Sequence, residues 1–579
     1  MRITLALALL VTTPAIAAPT SPEARFRTLV AREWAWRQQQ QGGTADDQER
    51  VAPHLPDVRP AAQAARATYL DGVQRALDAI PAARLPTAAR VDYAVYRYQI
   101  ATMRAHQRFR DWEMPFNSDS SFWGELGYTA RGRFRDERDY RNWIAQLREL
   151  PRWFDDEIAN MRAGLSRGFT APRVTLEGRD ASLVPIAEAT DPTKTSLYAP
   201  FLTLPATMPP ATQAALRADA TAAIREGAIP AYRRLLAFVR DDYIPHARTT
   251  LAAEALPDGA AWYQAQIREY ATLDLTPAQI HAIGVAEIAK IDAEMDSVQK
   301  QAGFTGDRAA FLKFLRTDKR FYPTSGDQLL HQAAWIAKQV DGKVGQYIGH
   351  LPRRRFAIVP VPADIAPFYT AGRGGAGEYL LNTYDLPSRP LFQLAALTLH
   401  ESAPGHALQI PLAAENKAQA PFRRHGYISA YGEGWALYCE RLGDEMGLYE
   451  TPYDRFGMLS YQAWRAARLV VDTGIHAQGW SRAQAQAYLR DHTALSTHEI
   501  ETEVDRYISW PGQALSYYLG EMAIRQGRAK AEAALGARFN IRAFHDAVLE
   551  LGSVPLPVLD ARIDRFIAEG GRGPYPAEE

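Results

Sequence analysis

Helical periodicity constrains the fold of this chain more than any other feature of its sequence. From about residue 22 to 170, apolar residues recur at three- and four-residue intervals, as in "ERDYRNWIAQLRELPRWFDDEIANMRAGLSR". This spacing places the apolar side chains on one face of an α-helix. The pattern resumes after residue 215, continues with breaks to about 350, and returns from 427 almost to the end. The chain is therefore predicted to be mostly α.

One interval between the helical regions has a different composition. Residues 171–215 are rich in Pro and Thr and contain "FLTLPATMPPATQ". Such a stretch indicates a long surface excursion or a boundary between lobes. We predict an N-terminal helical lobe over residues 19–215, ending in this excursion, and a second helical lobe over 216–579. The expected fold is a large helical two-lobed body.

Residues 355–384 are the exception to the helical pattern. "RFAIVPVP" and "GEYLLNTYD" are short, β-rich and bounded by Pro, Gly and Asp, so they are predicted to be strands. The segment between them, "TAGRGGAGE", is predicted to be a flexible loop. A helix should then begin near Ser388, with Pro390 in its first turn, and run through "LFQLAALTLHES". A small β-sheet beside that helix is expected.

Composition excludes several classes of protein. Lys plus Arg equals Asp plus Glu at 66 each, so no overall charge favours nucleic acid or an anionic membrane.

Residues 1–18 have a positive start, an apolar run and a small-x-small end, which together predict a signal peptide. No later segment reaches the length of a transmembrane helix. We therefore expect an exported protein, periplasmic or secreted, and leave its oligomeric state open.

Residues 398–409, "TLHESAPGHALQ", carry the main chemical signal. Zinc hydrolases use two imidazoles and a carboxylate as ligands and leave a fourth position for water. His400 and His406 are six residues apart, which in an unbroken helix means directions about 240° apart and about 9 Å along the axis. Pro404 and Gly405 can break the helix and bring His406 back towards His400. Glu401 would then be the neighbouring base.

A third ligand is expected from the segment "YGEGWALYCERLGDEMG" at 431–447. Glu433 precedes a helix-like apolar run, where a second helix could bring a carboxylate to the two histidines. Glu440 is two helical turns further on and is either an alternative ligand or an acceptor for a histidine N–H.

Several ordered motifs resemble those of the bacterial domain-of-unknown-function family 885. They are "HESAPGHALQ", "EGWALYCE", "RLVVDTGIHAQGWS", "VDRYISWPGQALSYYLG" and "FHDAVLELGSVPLPVL". That family is grouped with the glutamate-ligand zinc peptidases and is similar in organisation to the helical oligopeptidases of the thimet and angiotensin-converting-enzyme type. The resemblance implies a channel between two helical lobes, zinc as cofactor and short peptides as substrates.

The resemblance also implies roles for individual residues. His400, His406 and Glu433 match the metal ligands, and Glu401 matches the general base. Family members commonly carry a second histidine directly after Pro-Gly-His, where this chain has Ala407. If that second histidine were the ligand, this chain would lack one.

Other candidates support the site. An oxyanion donor is expected from among Tyr517, Tyr518, His476 and Tyr507, and a contact with a substrate carboxylate from Arg468 or Arg506. An ion pair of either arginine with Asp472 or Glu503 is the alternative. The strand "EYLLNTY" should bind extended substrate along its edge, with Asn382 and Tyr384 contacting substrate or only capping the strand.

The leading hypothesis is a zinc-dependent hydrolase that cleaves peptide bonds of short peptides in an exported compartment. Two alternatives stay open. One is a zinc hydrolase of a non-peptide amide or cell-wall fragment, and the other is a catalytically inactive protein that binds peptides, which Ala407 favours.

Overall fold

A computed structural model describes residues 21–42, 50–363 and 365–576. The predicted signal peptide, residues 1–18, lies outside the described residues. The prediction of a mostly α fold with one small β-sheet is confirmed. Within the described ranges, no helix combines the length and apolar character needed to cross a membrane.

The helices before the sheet are α1 (Pro22–Gln40), α2 (Pro60–Asp78), α3 (Thr87–Phe109), α4 (Phe122–Arg131), α5 (Glu137–Ser166), α6 (Arg173–Leu176), α7 (Val184–Ala187), α8 (Ala199–Leu202), α9 (Pro210–Ala223), α10 (Ile229–Phe238), α11 (Ile244–His246), α12 (Gly259–Ala271), α13 (Pro277–Gln301), α14 (Arg308–Thr317) and α15 (Gly326–Asp341). The strands are β1 (Ala357–Pro360), β2 (Gly372–Gly374) and β3 (Glu378–Leu381). The helices after the sheet are α16 (Leu391–Glu401), α17 (His406–Glu415), α18 (Pro421–Arg424), α19 (Ser429–Glu445), α20 (Pro452–Gln478), α21 (Arg482–His492), α22 (Thr497–Ser509), α23 (Ser516–Leu535), α24 (Ile541–Leu549) and α25 (Leu556–Ala568).

Helix α20 is the central helix of the core. It begins at a capping box, in which the Thr451 and Asp454 side chains each accept a hydrogen bond from the other's backbone N–H. It ends at Gly479, whose φ of 71° lies in the left-handed region that glycine adopts readily. Nearly every residue from Phe456 to His476 is buried. Helix α13 packs against it at close range, since a Cβ on Gly284 would lie 2.7 Å from a Val470 side-chain carbon.

The predicted boundary between residues 215 and 216 falls inside a helix. Helix α9 runs across it, and one apolar cluster includes residues from Val51 to Ala247. A second cluster joins the first three helices to side chains from α19, α24 and α25. Apolar packing therefore crosses the predicted lobes, and the two-lobe division remains a prediction.

The Pro- and Thr-rich interval is not a surface excursion. It forms short helical turns whose apolar side chains, including Leu176, Leu183, Leu197 and Phe201, are fully buried in the Val51–Ala247 cluster. Prolines lie in the first turn of several of these short helices, where no N–H is needed, and the apolar residues around them pack into the core.

The sheet lies against α16, with the strand order β1-β3-β2 among the described residues. Strand β1 pairs parallel to β3, and β2 pairs antiparallel to it. Two strands agree with the prediction, but β2 falls inside the glycine-rich segment that we predicted to be a flexible loop. Glycine is depleted in strands, so the pattern indicated a loop. The predicted helix near Ser388 begins at Leu391, after Pro390.

Candidate metal centre

The helix carrying His400 stops directly after Glu401. Helix α16 ends there, α17 begins at His406, and Ser402–Gly405 turn the chain between them, with a cis peptide bond between Ala403 and Pro404. A Cβ on Gly405 would lie 2.0 Å from the His400 carbonyl oxygen and 2.5 Å from that of Leu399. Only glycine permits this approach of the turn to the end of α16.

Helix α19 holds the turn from the other side. The indole N–H of Trp435 donates to the Pro404 carbonyl oxygen at 2.8 Å, and the indole is fully buried. Trp435 lies two residues after Glu433. The same helix therefore both fixes the turn and supplies the acidic side chain.

The turn brings together the three predicted ligands. The His400 and His406 rings have centroids 4.9 Å apart and are nearly perpendicular, at 85°. Glu433 Oε2 lies 3.5 Å from His400 Nε2 and 3.3 Å from His406 Nε2. The candidate ligand atoms of these residues all lie within 4.8 Å of one another.

These separations fit a zinc ion. Zinc bonds of about 2.0–2.1 Å to nitrogen and oxygen put the donors of a tetrahedral site about 3.3 Å apart. Two imidazoles and one carboxylate are also a donor set that zinc hydrolases use, with one position left for water. In this arrangement the residue after His406, Ala407, is not needed as a ligand.

Glu440 orients the first imidazole. Its Oε1 lies 2.8 Å from His400 Nδ1 and 3.3 Å from Arg465 Nη2, and both carboxyl and imidazole are buried. An Nδ1–H donated to Glu440 leaves the Nε2 lone pair of His400 facing Glu433. Of the two roles considered for Glu440, the geometry favours the acceptor.

The charges around His400 favour a bound cation. Burial lowers the pKa of His400, but the carboxylates of Glu401, Glu433 and Glu440 outweigh burial and raise that pKa to about 10. Burial raises the pKa of Glu433, but the two imidazoles hold it well below its usual range. Ionised carboxylates surrounding imidazole attract either a proton or a metal ion.

Glu401 is held against the sheet. Its Oε2 accepts a hydrogen bond from the Gly374 N–H at 2.5 Å. A Cβ on Gly374 would lie 1.9 Å from the Glu401 carbonyl oxygen, so β2 approaches this close only because that residue is glycine. The glycine-rich segment thus positions the candidate base.

Tyr517 lies beside the histidines. Its ring is stacked on that of His400, with centroids 6.3 Å apart and planes 17° from parallel. Its hydroxyl oxygen accepts from Arg506 Nη2 at 3.3 Å, which leaves the hydroxyl hydrogen able to donate. This geometry suits the predicted oxyanion donor.

Tyr518, the neighbouring oxyanion candidate, is engaged elsewhere. Its hydroxyl donates to Glu287 Oε2 at 2.8 Å, and only 2% of the residue is exposed.

Arg468 and Tyr507 are buried in a network of their own. Arg468 donates to Glu503 Oε2 at 2.8 Å and to the Tyr507 hydroxyl at 2.9 Å, and Trp464 donates to the same hydroxyl at 2.7 Å. Arg468 and Tyr507 are each only 1% exposed. For Arg468, the structure therefore favours the alternative of a buried ion pair over the predicted contact with substrate. Tyr507 lies in the same buried network, which argues against the predicted oxyanion role for its hydroxyl.

His476 lacks a free donor. Its Nδ1 accepts from the Ala253 backbone N–H at 3.1 Å, so Nε2 must carry the hydrogen that binds the Tyr507 carbonyl at 2.8 Å. Burial lowers the pKa of His476 to about 3, so the ring is neutral. Both ring nitrogens are already used, which argues against the predicted oxyanion role.

Asn382 and Tyr384 differ in their surroundings. The Asn382 amide donates to the Ala366 and Tyr369 carbonyls at 2.9 Å and accepts from the Tyr384 N–H at 3.0 Å, and none of it is exposed. Its role is the cap that we gave as the alternative. Tyr384 is 51% exposed, and a contact with substrate remains a prediction for it.

The strand predicted to bind substrate along its edge has no free edge in the structure. Strand β3, which contains most of "EYLLNTY", pairs with β1 on one side and β2 on the other. A strand paired on both sides cannot accept a further strand. The strand next to Glu401 is β2, the edge strand on that side of β3 in the described structure.

The sequence did not reveal Tyr427, which also contacts the site. Its hydroxyl donates to Glu433 Oε1 at 2.9 Å, and its ring centroid lies 6.5 Å from that of His406. It precedes α19 and belongs to no spacing pattern, so only the fold places it here.

A family profile covers most of the chain. The family described as "Bacterial protein of unknown function (DUF885)" matches residues 38–563. The chain belongs to this family. No curated protein shows significant sequence similarity to it.

Solved structures resemble this family member in fold. A candidate lipoprotein from Colwellia psychrerythraea is 24% identical, with 95% of this chain and 100% of that chain covered and a TM-score of 0.86. A candidate lipoprotein of unknown function from Shewanella oneidensis is 18% identical, with 94% and 99% covered and a TM-score of 0.67. An M32 carboxypeptidase from Deinococcus radiodurans R1 is 14% identical, with 89% of this chain and 99% of that chain covered. Its TM-score of 0.32 is too low to indicate a common fold.

Proposed function

We propose that this protein is a zinc-dependent hydrolase that cleaves peptide bonds of short peptides. The observation that carries the proposal is the convergence of His400 Nε2, His406 Nε2 and Glu433 Oε2, with Oε2 at 3.5 and 3.3 Å from the two nitrogens, beside the carboxylate of Glu401. Zinc, when bound there, supplies Lewis-acid activation of water and of the substrate carbonyl.

Glu401 moves the proton in this proposal. The Gly374 N–H holds Oε2, so we assign to Oε1 the proton of the attacking water and its transfer to the leaving nitrogen. Burial of Glu401, which is 8% exposed, keeps competing water from the carboxylate.

Tyr517 stabilises the negative charge that develops on the carbonyl oxygen. Its hydroxyl hydrogen is available because the hydroxyl oxygen accepts from Arg506. The Arg468 guanidinium lies 4.1 Å from the centre of the Tyr517 ring and holds the ring in position.

A peptide is the substrate class that best suits the surroundings. Strand β2 lies next to Glu401, whose carboxylate already accepts from the Gly374 N–H, so an extended peptide could bind only to the remaining backbone groups of this edge. His400 and His406 are only 2% and 6% exposed, which favours short chains over folded proteins.

An exported location is part of the proposal. It rests on the signal-like composition of residues 1–18 and on the two structural neighbours that are named as candidate lipoproteins.

One set of measurements distinguishes this proposal from the two alternatives, a zinc hydrolase of non-peptide amides or cell-wall fragments and an inactive peptide-binding protein. Purified protein should contain about one zinc per chain and hydrolyse members of a short-peptide library. Glu401→Gln should retain the zinc and lose turnover by about 10²–10⁴-fold. Turnover only of non-peptide amides would identify the first alternative, and absence of bound zinc would identify the inactive peptide-binding protein. Undiminished turnover by Glu401→Gln would show that Glu401 is not the base.

A further inference from the structure

Tyr427 has an unusual position for a half-exposed side chain. Although 49% of the residue is exposed, its hydroxyl donates to Glu433 Oε1, on a carboxylate that lies almost entirely inside the protein. Glu433 thus has its two oxygens in different environments. Oε2 faces the imidazoles of His400 and His406, and Oε1 faces Tyr427.

The chain makes room for this contact at Gly432. A Cβ there would lie 2.4 Å from Tyr427 Cε2 and 2.5 Å from its Cζ and hydroxyl oxygen. Any larger residue would push the ring away from Glu433. The neighbouring Gly434 has a separate role, because its close contacts are with the backbone of Gly520 on α23. The two glycines that flank Glu433 therefore serve different contacts.

A carboxylate that is free at both oxygens can bind a cation through one or both of them, whereas a ligand held by a hydrogen bond is restricted. Removing a group that orients a metal ligand in this way typically lowers metal affinity about 10–100-fold. We propose that Tyr427 is a positioning residue that occupies Glu433 Oε1, so that Glu433 presents Oε2 alone to the metal, and that Gly432 provides the space this requires. The inference rests on the proposed metal site.

The test uses full-length protein in its metal-free form, titrated with zinc and separately with cobalt(II). The variants are Tyr427→Phe, which removes only the hydroxyl, and Gly432→Ala, which displaces the ring. Tyr347→Phe and Gly72→Ala are matched controls. The Tyr347 hydroxyl donates to the Glu445 carbonyl, and a Cβ on Gly72 would meet nothing closer than 3.9 Å.

Both test variants should bind zinc about 10–100-fold more weakly than the wild type, while the controls do not change. The cobalt(II) visible spectrum should also change in both, because a second carboxylate oxygen becomes able to bind. A purely structural role would lower thermal stability without altering the cobalt spectrum of the folded protein.

The outcomes separate this inference from the proposed function. If the wild type binds zinc and both test variants match it in affinity and cobalt spectrum, Tyr427 does not position Glu433, and the metal site stands. If Gly432→Ala does not fold, Tyr427→Phe alone decides. If the wild type binds neither metal, the metal site and the role of Tyr427 are both overturned.

Discussion

Gly405→Ala is the substitution that most directly tests the turn on which the proposed metal centre depends. The new methyl group would lie 2.0 Å from the His400 carbonyl oxygen and 2.5 Å from that of Leu399, whereas ordinary contacts begin at 3.4 Å. Both oxygens belong to the backbone of the last turn of α16, so no side chain can move aside. The two segments must separate by about 1 Å or more to relieve the contact.

That displacement is large compared with what a metal site tolerates. Metal–ligand distances are held to within about 0.2 Å, and His406 follows Gly405 directly. We therefore expect zinc affinity to fall at least about 100-fold, which is ~2.8 kcal/mol at 1.4 kcal/mol per tenfold. The cost to folding should be about 1–3 kcal/mol, as for other overpacked sites, so the variant should remain folded.

Competition with a chromophoric chelator measures the zinc dissociation constant, and circular dichroism checks the helical content. Gly72→Ala is the control, because it adds the same methyl group where the nearest heavy atom is 3.9 Å away. Wild-type zinc affinity in a folded Gly405→Ala protein would show that the turn does not set the position of His406, and would contradict the proposed ligand set.

Three further predictions concern Glu440, Tyr517 and the buried Asp472. Glu440→Gln should weaken zinc binding by about 10-fold, measured by the same competition, because the charge that orients His400 is lost; unchanged affinity would contradict that role. Tyr517→Phe should lower kcat by about 10²–10³-fold with zinc content unchanged, and a wild-type kcat would exclude Tyr517 as the oxyanion donor. Burial raises the pKa of Asp472 to about 7. Between about pH 4 and 7 the folded protein therefore keeps a proton on Asp472, whereas the unfolded chain loses it. Because of this difference, Asp472 makes the wild type less stable as the pH rises from about 4 to 7. Relative to the wild type, Asp472→Asn should therefore gain about 1.4 kcal/mol of unfolding free energy per pH unit across that window in urea titrations, and a difference independent of pH would contradict it.

The candidate metal ligands were the part of the site whose proximity the sequence predicted most directly. His400, Glu401 and His406 lie within seven residues, and the Pro-Gly pair between the histidines has a local physical effect that can be judged without the fold. Glu433 was predictable because it lies between two glycines beside a tryptophan, an unusual setting for a surface acid.

Other roles depended on contacts between distant parts of the chain. The sequence left open whether Arg468 contacts substrate or pairs with Asp472 or Glu503, and only the fold shows that it pairs with Glu503. Both ring nitrogens of His476 are used by residues 223 and 31 positions away. Composition also gave a wrong prediction at β2. Its glycines indicated a loop, but they form a strand that pairs with β3, and the lack of a side chain lets this strand approach Glu401 closely.

The sequence by itself determined the helical class, the place of the small sheet and the break between the two histidines, because periodicity and the restrictions of proline and glycine act over a few neighbouring residues. Tertiary structure alone decided which strand lies beside Glu401, which tyrosines contact His400 and Glu433, and which charged groups are already paired. Those outcomes depend on burial and on close approach between segments far apart in the chain, and no local pattern records them.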